Sequence, residues 1–172
     1  MKKSYVHVYT GDGKGKTTAA MGLALRAAGR GKSVKIIQFL KGRQTGEMFA
    51  LSKIDNVEFM QVSKCKKFFP DMSDEEKQVM RNEVSKALPK IQSWLNHADL
   101  IILDEAMGAI SVGLLSAAQV CGIIDSRGSS EIVLTGRDAP QEVIERAHVV
   151  TDMRAIKHYM DDGVAARAGI EY

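Results

Sequence analysis

The sequence predicts an α/β fold, a mostly parallel sheet of about six strands with helices on both faces. Three observations point there. Short apolar runs alternate with helix-like stretches along the chain, which is the pattern of a layered α/β domain. Several runs, such as VKIIQF and LIIL, are apolar nearly throughout, as strands buried on both faces are. Each run also ends in polar or glycine-rich residues, so the candidate chemistry collects at one edge of the sheet.

The elements follow in order. Tyr5–Tyr9 (YVHVY) is β-branched and aromatic and reads as a first strand. TTAAMGLALRAAGRG is rich in alanine and leucine and stops at Gly29 and Gly31, a helix with a glycine exit. VKIIQF (34–39) is a second strand, KGRQTGEMFA (41–50) a polar loop, and VEFMQV (57–62) a third strand. SKCKKFFPDM is irregular. Ser73 opens a helix with Glu76 in capping-box position, and Met80, Val84, Ala87, Leu88, Ile91, Trp94 and Leu95 form its apolar face. Pro89 falls inside that run, which predicts a kink or a break. DLIILDE (99–105) is a fourth strand, Ser116 with Gln119 opens another capped helix, and EIVLTG (131–136) is a fifth strand. A short helix after Pro140 and a sixth strand in HVVTDMR complete the pattern.

A chain of 172 residues suits one domain, read here as residues 1–172. With 45% hydrophobic and 26% charged residues it is an ordinary globular composition, which argues against disorder. A net charge of +3 is too small to indicate nucleic acid or an acidic membrane. Cys65 and Cys121 have no paired spacing, so no disulfide framework or zinc knuckle is expected, and a reducing cytoplasmic setting fits. The expectation is a soluble protein without signal peptide or membrane span.

The chemistry starts at TGDGKGKTT (10–18). The usual phosphate loop is G-x-x-x-x-G-K-[ST]. Here Thr10 stands where the first glycine belongs, and Gly11 comes one residue late. A glycine-rich turn between strand and helix still points backbone N–H groups at phosphate oxygens, beside the positive end of the helix. Lys16 can lie along the phosphates and the Thr17 hydroxyl can hold Mg²⁺. A second signal is the acid pair Asp104-Glu105 ending an apolar strand, where a metal-holding carboxylate belongs. Either acid is a candidate, directly or through water. These motifs establish nucleotide binding and leave the reaction open: Glu105 and Arg137 could also serve a P-loop ATPase or a nucleotide switch acting on a protein partner. KCKKFFP (64–70) is the one basic and aromatic cluster, suited to stacking on a flat ligand, to touching nucleic acid, or to a solvated loop with its phenylalanines in the core.

Taken in order, VYTGDGKGKTTAAMGLALRAAG, VKIIQFLKG, LIILDE, VLTGR and KHYMDDGVAARAGIEY resemble the ATP:corrinoid adenosyltransferases over nearly the whole chain. The last stretch is the most specific of the five. The resemblance implies a P-loop, RecA-like fold and transfer of the 5′-deoxyadenosyl group of ATP to a reduced Co(I) corrinoid, with inorganic triphosphate released. It implies ATP, Mg²⁺ and a corrinoid as ligands, a homodimer and an electron-donor flavoprotein as partner, and neither nucleic acid nor membrane. By resemblance, Gly11, Asp12, Gly13, Lys14, Gly15, Lys16, Thr17 and Thr18 bind the triphosphate, in reversed polarity. Thr17 and Glu105, with Asp104, hold Mg²⁺. Lys16, Thr17 and Glu105 are the catalytic set. Arg26, Lys41, Glu47 and Arg137 match family positions near the nucleotide edge. Phe68 and Phe69 stand in for the aromatic loop that meets the corrinoid.

Overall fold

A computed structural model describes residues 3–62, 64, 65, 67 and 69–172. Six parallel strands form one sheet: β1 (Val6–Thr10), β2 (Val34–Gln38), β3 (Val57–Gln61), β4 (Leu100–Asp104), β5 (Glu131–Thr135) and β6 (Val149–Asp152). Their order across the sheet is β3-β2-β4-β5-β1-β6. The strand before the glycine loop is therefore separated from the strand bearing Asp104 by β5 alone. Register places Gln38 opposite Asp104 and Tyr9 opposite Thr135, so the carboxyl ends of four strands finish level.

Alternating side chains divide the core in two. Ile101 and Leu103 of β4 and Ile132 and Leu134 of β5 face one side, while Leu100, Ile102 and Val133 face the other. The second side is covered by α1 (Lys16–Ala28), through Ala20, Met21, Ala24 and Ala28, and by Leu51 of α2 (Gly46–Leu51). The first carries α3 (Asp74–Trp94), α4 (Ala106–Ser111), α5 (Ala117–Asp125) and α6 (Gln141–Ile144). The small alanine face of α1 lets it lie close on the sheet, which fixes the helix that follows the glycine loop. Both expected capping boxes form, at Ser73–Glu76 and Ser116–Gln119.

Three expectations change. The 41–50 stretch is not all loop, because Gly46–Leu51 turns into α2. So short a helix is held by burial of Leu51 and not by propensity. The residues after Glu105, which carried no predicted element, form α4. Helix α3 runs unbroken through Pro89. Pro89 and Ser85, whose carbonyl loses its helical donor, are both exposed, which leaves the freed group's surroundings open to water. Among the described residues, no helix is long and apolar enough to cross a membrane.

Candidate functional site

The level strand ends bring the 12–15 loop, Lys41, Glu105 and Arg137 around one open cleft of about 760 Å³. Thr10 remains strand, paired with Asp152 of β6, and the chain turns only at Gly11, with φ of 97°. A Cβ on Gly11 would lie 2.4 Å from the Met153 carbonyl oxygen and from Asp152 Oδ1. The offset glycine thus stands where the backbone requires one.

Lys16 is buried and folds back over the loop, donating to the Gly11 and Gly13 carbonyls at 2.7 and 2.6 Å. Burial holds its pKa below the usual lysine range. Asp12 accepts from the Ala155 amide at 3.2 Å. That bond, with one from its own amide, holds its carboxyl below the ordinary value.

The acid pair divides into two environments. Asp104 is fully buried, with the Thr135 hydroxyl donating to Oδ1 at 2.7 Å and the Gln38 amide to Oδ2 at 2.8 Å. Glu105 adopts left-handed backbone, φ 59°, and its amide donates to Thr135 Oγ1 at 2.9 Å. Its carboxyl is pushed up, first by burial and then by the charge of Asp104, against the pull of Lys41, Lys16 and Arg137. Gly108 leaves it room: a Cβ there would approach Glu105 Oε2 at 3.2 Å and Leu40 Cδ1 at 2.7 Å.

Between these acids and the loop lies Lys41, which donates to Thr17 Oγ1 at 2.9 Å and reaches Asp104 Oδ2 at 3.5 Å. Its ammonium is a cation spanning a hydroxyl and a carboxylate. Hard oxygen donors of this kind, one or two carboxylates completed by substrate phosphates, suit Mg²⁺. The residues present therefore fit the ion. Among the described residues, no cluster of three or more His, Cys, Asp or Glu is placed to ligate a metal.

With this geometry in hand, comparison with known proteins is specific. The family model described as ATP:corrinoid adenosyltransferase BtuR/CobO/CobP matches residues 2–172. The chain belongs to the ATP:corrinoid adenosyltransferase family. The corrinoid adenosyltransferase of Escherichia coli K12 is 32% identical over 99% of this chain and 87% of its own length. The corrinoid adenosyltransferase CobA of Salmonella typhimurium is 31% identical over the same shares, and that of Pseudomonas aeruginosa 30% identical over 96% and 82%. Among solved structures, the EssC ATPase 2 and 3 fragment of Geobacillus thermodenitrificans has a TM-score of 0.53 at 13% identity, covering 96% of this chain and 35% of that one. That likeness concerns the fold alone.

In this adenosyltransferase-family chain, not every sequence candidate reaches the cleft. Asp12 through Thr18, Lys41, Glu105 and Arg137 line it. Gly11 shapes the loop beneath, and Asp104 supports from the strand end. Arg26 sits exposed in the last turn of α1, about 15 Å along the helix from Lys16. Glu47 lies in the first turn of α2 and is not part of the lining. Phe69 starts a 3-10 turn, packs against the core and has Lys77 over its ring at 5.8 Å, away from the cleft. Phe68 lies outside the described residues. Sequence reasoning missed Gln38 and Gly108. For Gln38 a signal existed, a lone amide ending a largely apolar strand.

Proposed function

We propose that residues 1–172 act as one domain that transfers the 5′-deoxyadenosyl group of ATP to the cobalt of a reduced Co(I) corrinoid and releases inorganic triphosphate. The observation that carries this is the convergence of Lys16, Thr17 and Glu105 on one cleft, with Asp104 buried directly behind it, in a chain of this family. The corrinoid substrate supplies the electron pair. A cobalt–carbon bond forms at C5′ as the C5′–oxygen bond breaks, and the electrons of that bond leave on the triphosphate.

Such a nucleophile needs no general base, so the protein's work is orientation and stabilisation of the leaving group. Loop amides and Lys16, turned from its own loop carbonyls to phosphate, take up the departing charge. Thr17 and Glu105, with Asp104, would hold Mg²⁺, which when bound neutralises phosphate charge. Asp104, locked by Thr135 and Gln38, fixes one edge of that cradle, and the strained Glu105 backbone aims the second carboxylate. Lys41 and Arg137 add positive charge at the rim. Mg²⁺, a homodimer, a cytoplasmic setting and an electron-donor flavoprotein are the finer parts of this reading and rest on likeness to the family.

The test is product analysis with ATP, Mg²⁺ and a chemically reduced corrinoid. Adenosylated corrinoid and triphosphate are expected in equal amounts. ADP and phosphate as main products would overturn the proposal.

A further inference from the structure

The most specific stretch of the sequence, KHYMDDGVAARAGIEY, enters none of the chemistry above. Residues 153–172 contain no helix or strand, and Ile156, Met160 and Ile170 are 91%, 63% and 57% exposed. Among the described residues, no apolar core cluster takes in this segment. Besides the bond from the Ala155 amide to Asp12, polar contacts to the phosphate loop hold it in two further places.

The first lies under Gly13. The Gly13 amide donates to the Met153 carbonyl at 2.7 Å, and a Cβ on Gly13 would meet the Arg154 backbone at 2.7 Å. The second is Lys14. Its ammonium donates to Glu171 Oε1 at 2.5 Å and to the Tyr159 hydroxyl at 2.6 Å, and it stands 5.3 Å from the Tyr159 ring centre. Tyr159 also bonds Glu171. Glu171 Oε2 accepts from the Arg167 amide at 2.7 Å and its guanidinium at 3.3 Å, and that guanidinium lies over the Tyr159 ring at 4.9 Å. One carboxylate thus gathers a lysine, an arginine, a phenol and an amide. Arg167, Lys14 and Tyr159 hold it far below the usual carboxylate range. Ala155, Met160 and Ile170 from the same segment line the cleft opposite α4.

We propose that Glu171, with Tyr159, is a positioning residue for the phosphate loop, latching residues 153–172 to Lys14 as the outer wall of the nucleotide cleft. The proposal rests on the reading of that cleft as the ATP site. Lys14 is then a tether, its charge committed to Glu171, while Lys16 and the loop amides address phosphate. A single exposed ion pair holds little, but donors converging on one carboxylate reinforce one another. ATP in the cleft touches loop and wall together, so a wall ordered beforehand lowers the entropy lost on binding.

The experiment measures ATP affinity by calorimetry for the wild type, Glu171→Gln, Lys14→Met and the double variant, with trypsin cleavage after Arg154, Lys157 and Arg167 followed in parallel. Glu171→Gln should weaken ATP about tenfold, the scale of one lost charge-assisted bond. It should also speed cleavage at those three sites with ATP absent. The double variant should be no worse than Lys14→Met alone. Independent, multiplying losses would show Lys14 acting on phosphate and Glu171 elsewhere, and would overturn the latch. So would unchanged affinity in Glu171→Gln. Should that variant fold poorly, Tyr159→Phe removes a single hydroxyl and should weaken ATP several-fold with faster cleavage. Neither change there also overturns the proposal. Product identity separates the two readings: wild type yielding ADP refutes the transferase while the affinity cycle still decides the latch.

Discussion

Glu105 combines three roles that substitutions can separate. Its φ of 59° costs an L-residue about 1–2 kcal/mol. Glycine at this position relieves that strain, but its greater unfolded-state freedom takes back about 0.4–1 kcal/mol. Glu105→Gly should therefore be more stable than Glu105→Ala by close to 1 kcal/mol. In a domain of 172 residues this is about 2–4 °C in Tm. Glu105 is also the residue capping α4, where glycine again exceeds alanine, so both effects share a sign. Burial adds a separate signature. A carboxyl whose pKa is raised on folding makes the native state bind its proton more tightly than the unfolded chain. Its charge then destabilises the protein above the folded pKa, and the cost fades as pH falls to the ordinary carboxylate range. Glu105→Gln should be more stable than wild type at neutral pH, with the gain shrinking toward acid. Thermal unfolding without nucleotide, repeated across pH, measures all three variants. Alanine equal to or above glycine would refute the strain argument. A glutamine gain that grows toward acid would refute the burial argument.

Further expectations follow from the same cleft. Lys16→Ala should weaken ATP binding at least about tenfold by calorimetry, since it removes a charged donor from the loop and leaves the Gly11 and Gly13 carbonyls without it. Lys41→Met removes the cation between Thr17 and Asp104, so Mn²⁺ binding to the nucleotide-free protein, followed by electron paramagnetic resonance, should tighten several-fold. Unchanged affinity would mean that the ammonium does not occupy the metal's place. Phe69→Ala should lower stability by about 1–2 kcal/mol in urea unfolding and leave ATP affinity intact, because the ring packs on the core outside the cleft.

The sheet and the position of its reactive edge were legible because both follow from local pattern. Each apolar run is long enough to be a strand, and each changes character at its carboxyl end, so parallel order alone collects the loop, Asp104, Glu105 and Arg137. The small helices were not legible. Gly46–Leu51 and Ala106–Ser111 are too short for periodicity to register, and buried Leu51 and Met107 give them their stability from outside. Pro89 does not break α3, because a freed carbonyl is costly only where water is kept from it, and here Ser85 and Pro89 are both exposed. Arg26 and Glu47 show a different limit. Likeness at a position carries a residue type, whereas the distance to the cleft depends on the turn of α1 and the entry into α2.

The 153–172 segment was the most recognisable by sequence and the least interpretable by physics. It has no periodicity, because it builds neither helix nor strand. It has no apolar face, because it covers a polar loop. Its residues make sense only with partners more than a hundred positions away: Tyr159 and Glu171 with Lys14, Met153 with Gly13, Ala155 with Asp12. The same contacts account for the displaced glycine. In this fold β6 lies beside β1, so the chain leaving β6 crosses directly beneath the loop. Thr10 is held as strand by Asp152, and the turn, with the glycine it demands, moves one residue on. The loop's departure from the usual spacing and the segment that crosses beneath it are therefore one structural feature. A loop fastened from below this way suits the proposed reaction, whose catalytic demand is to hold triphosphate still as the bond to C5′ breaks.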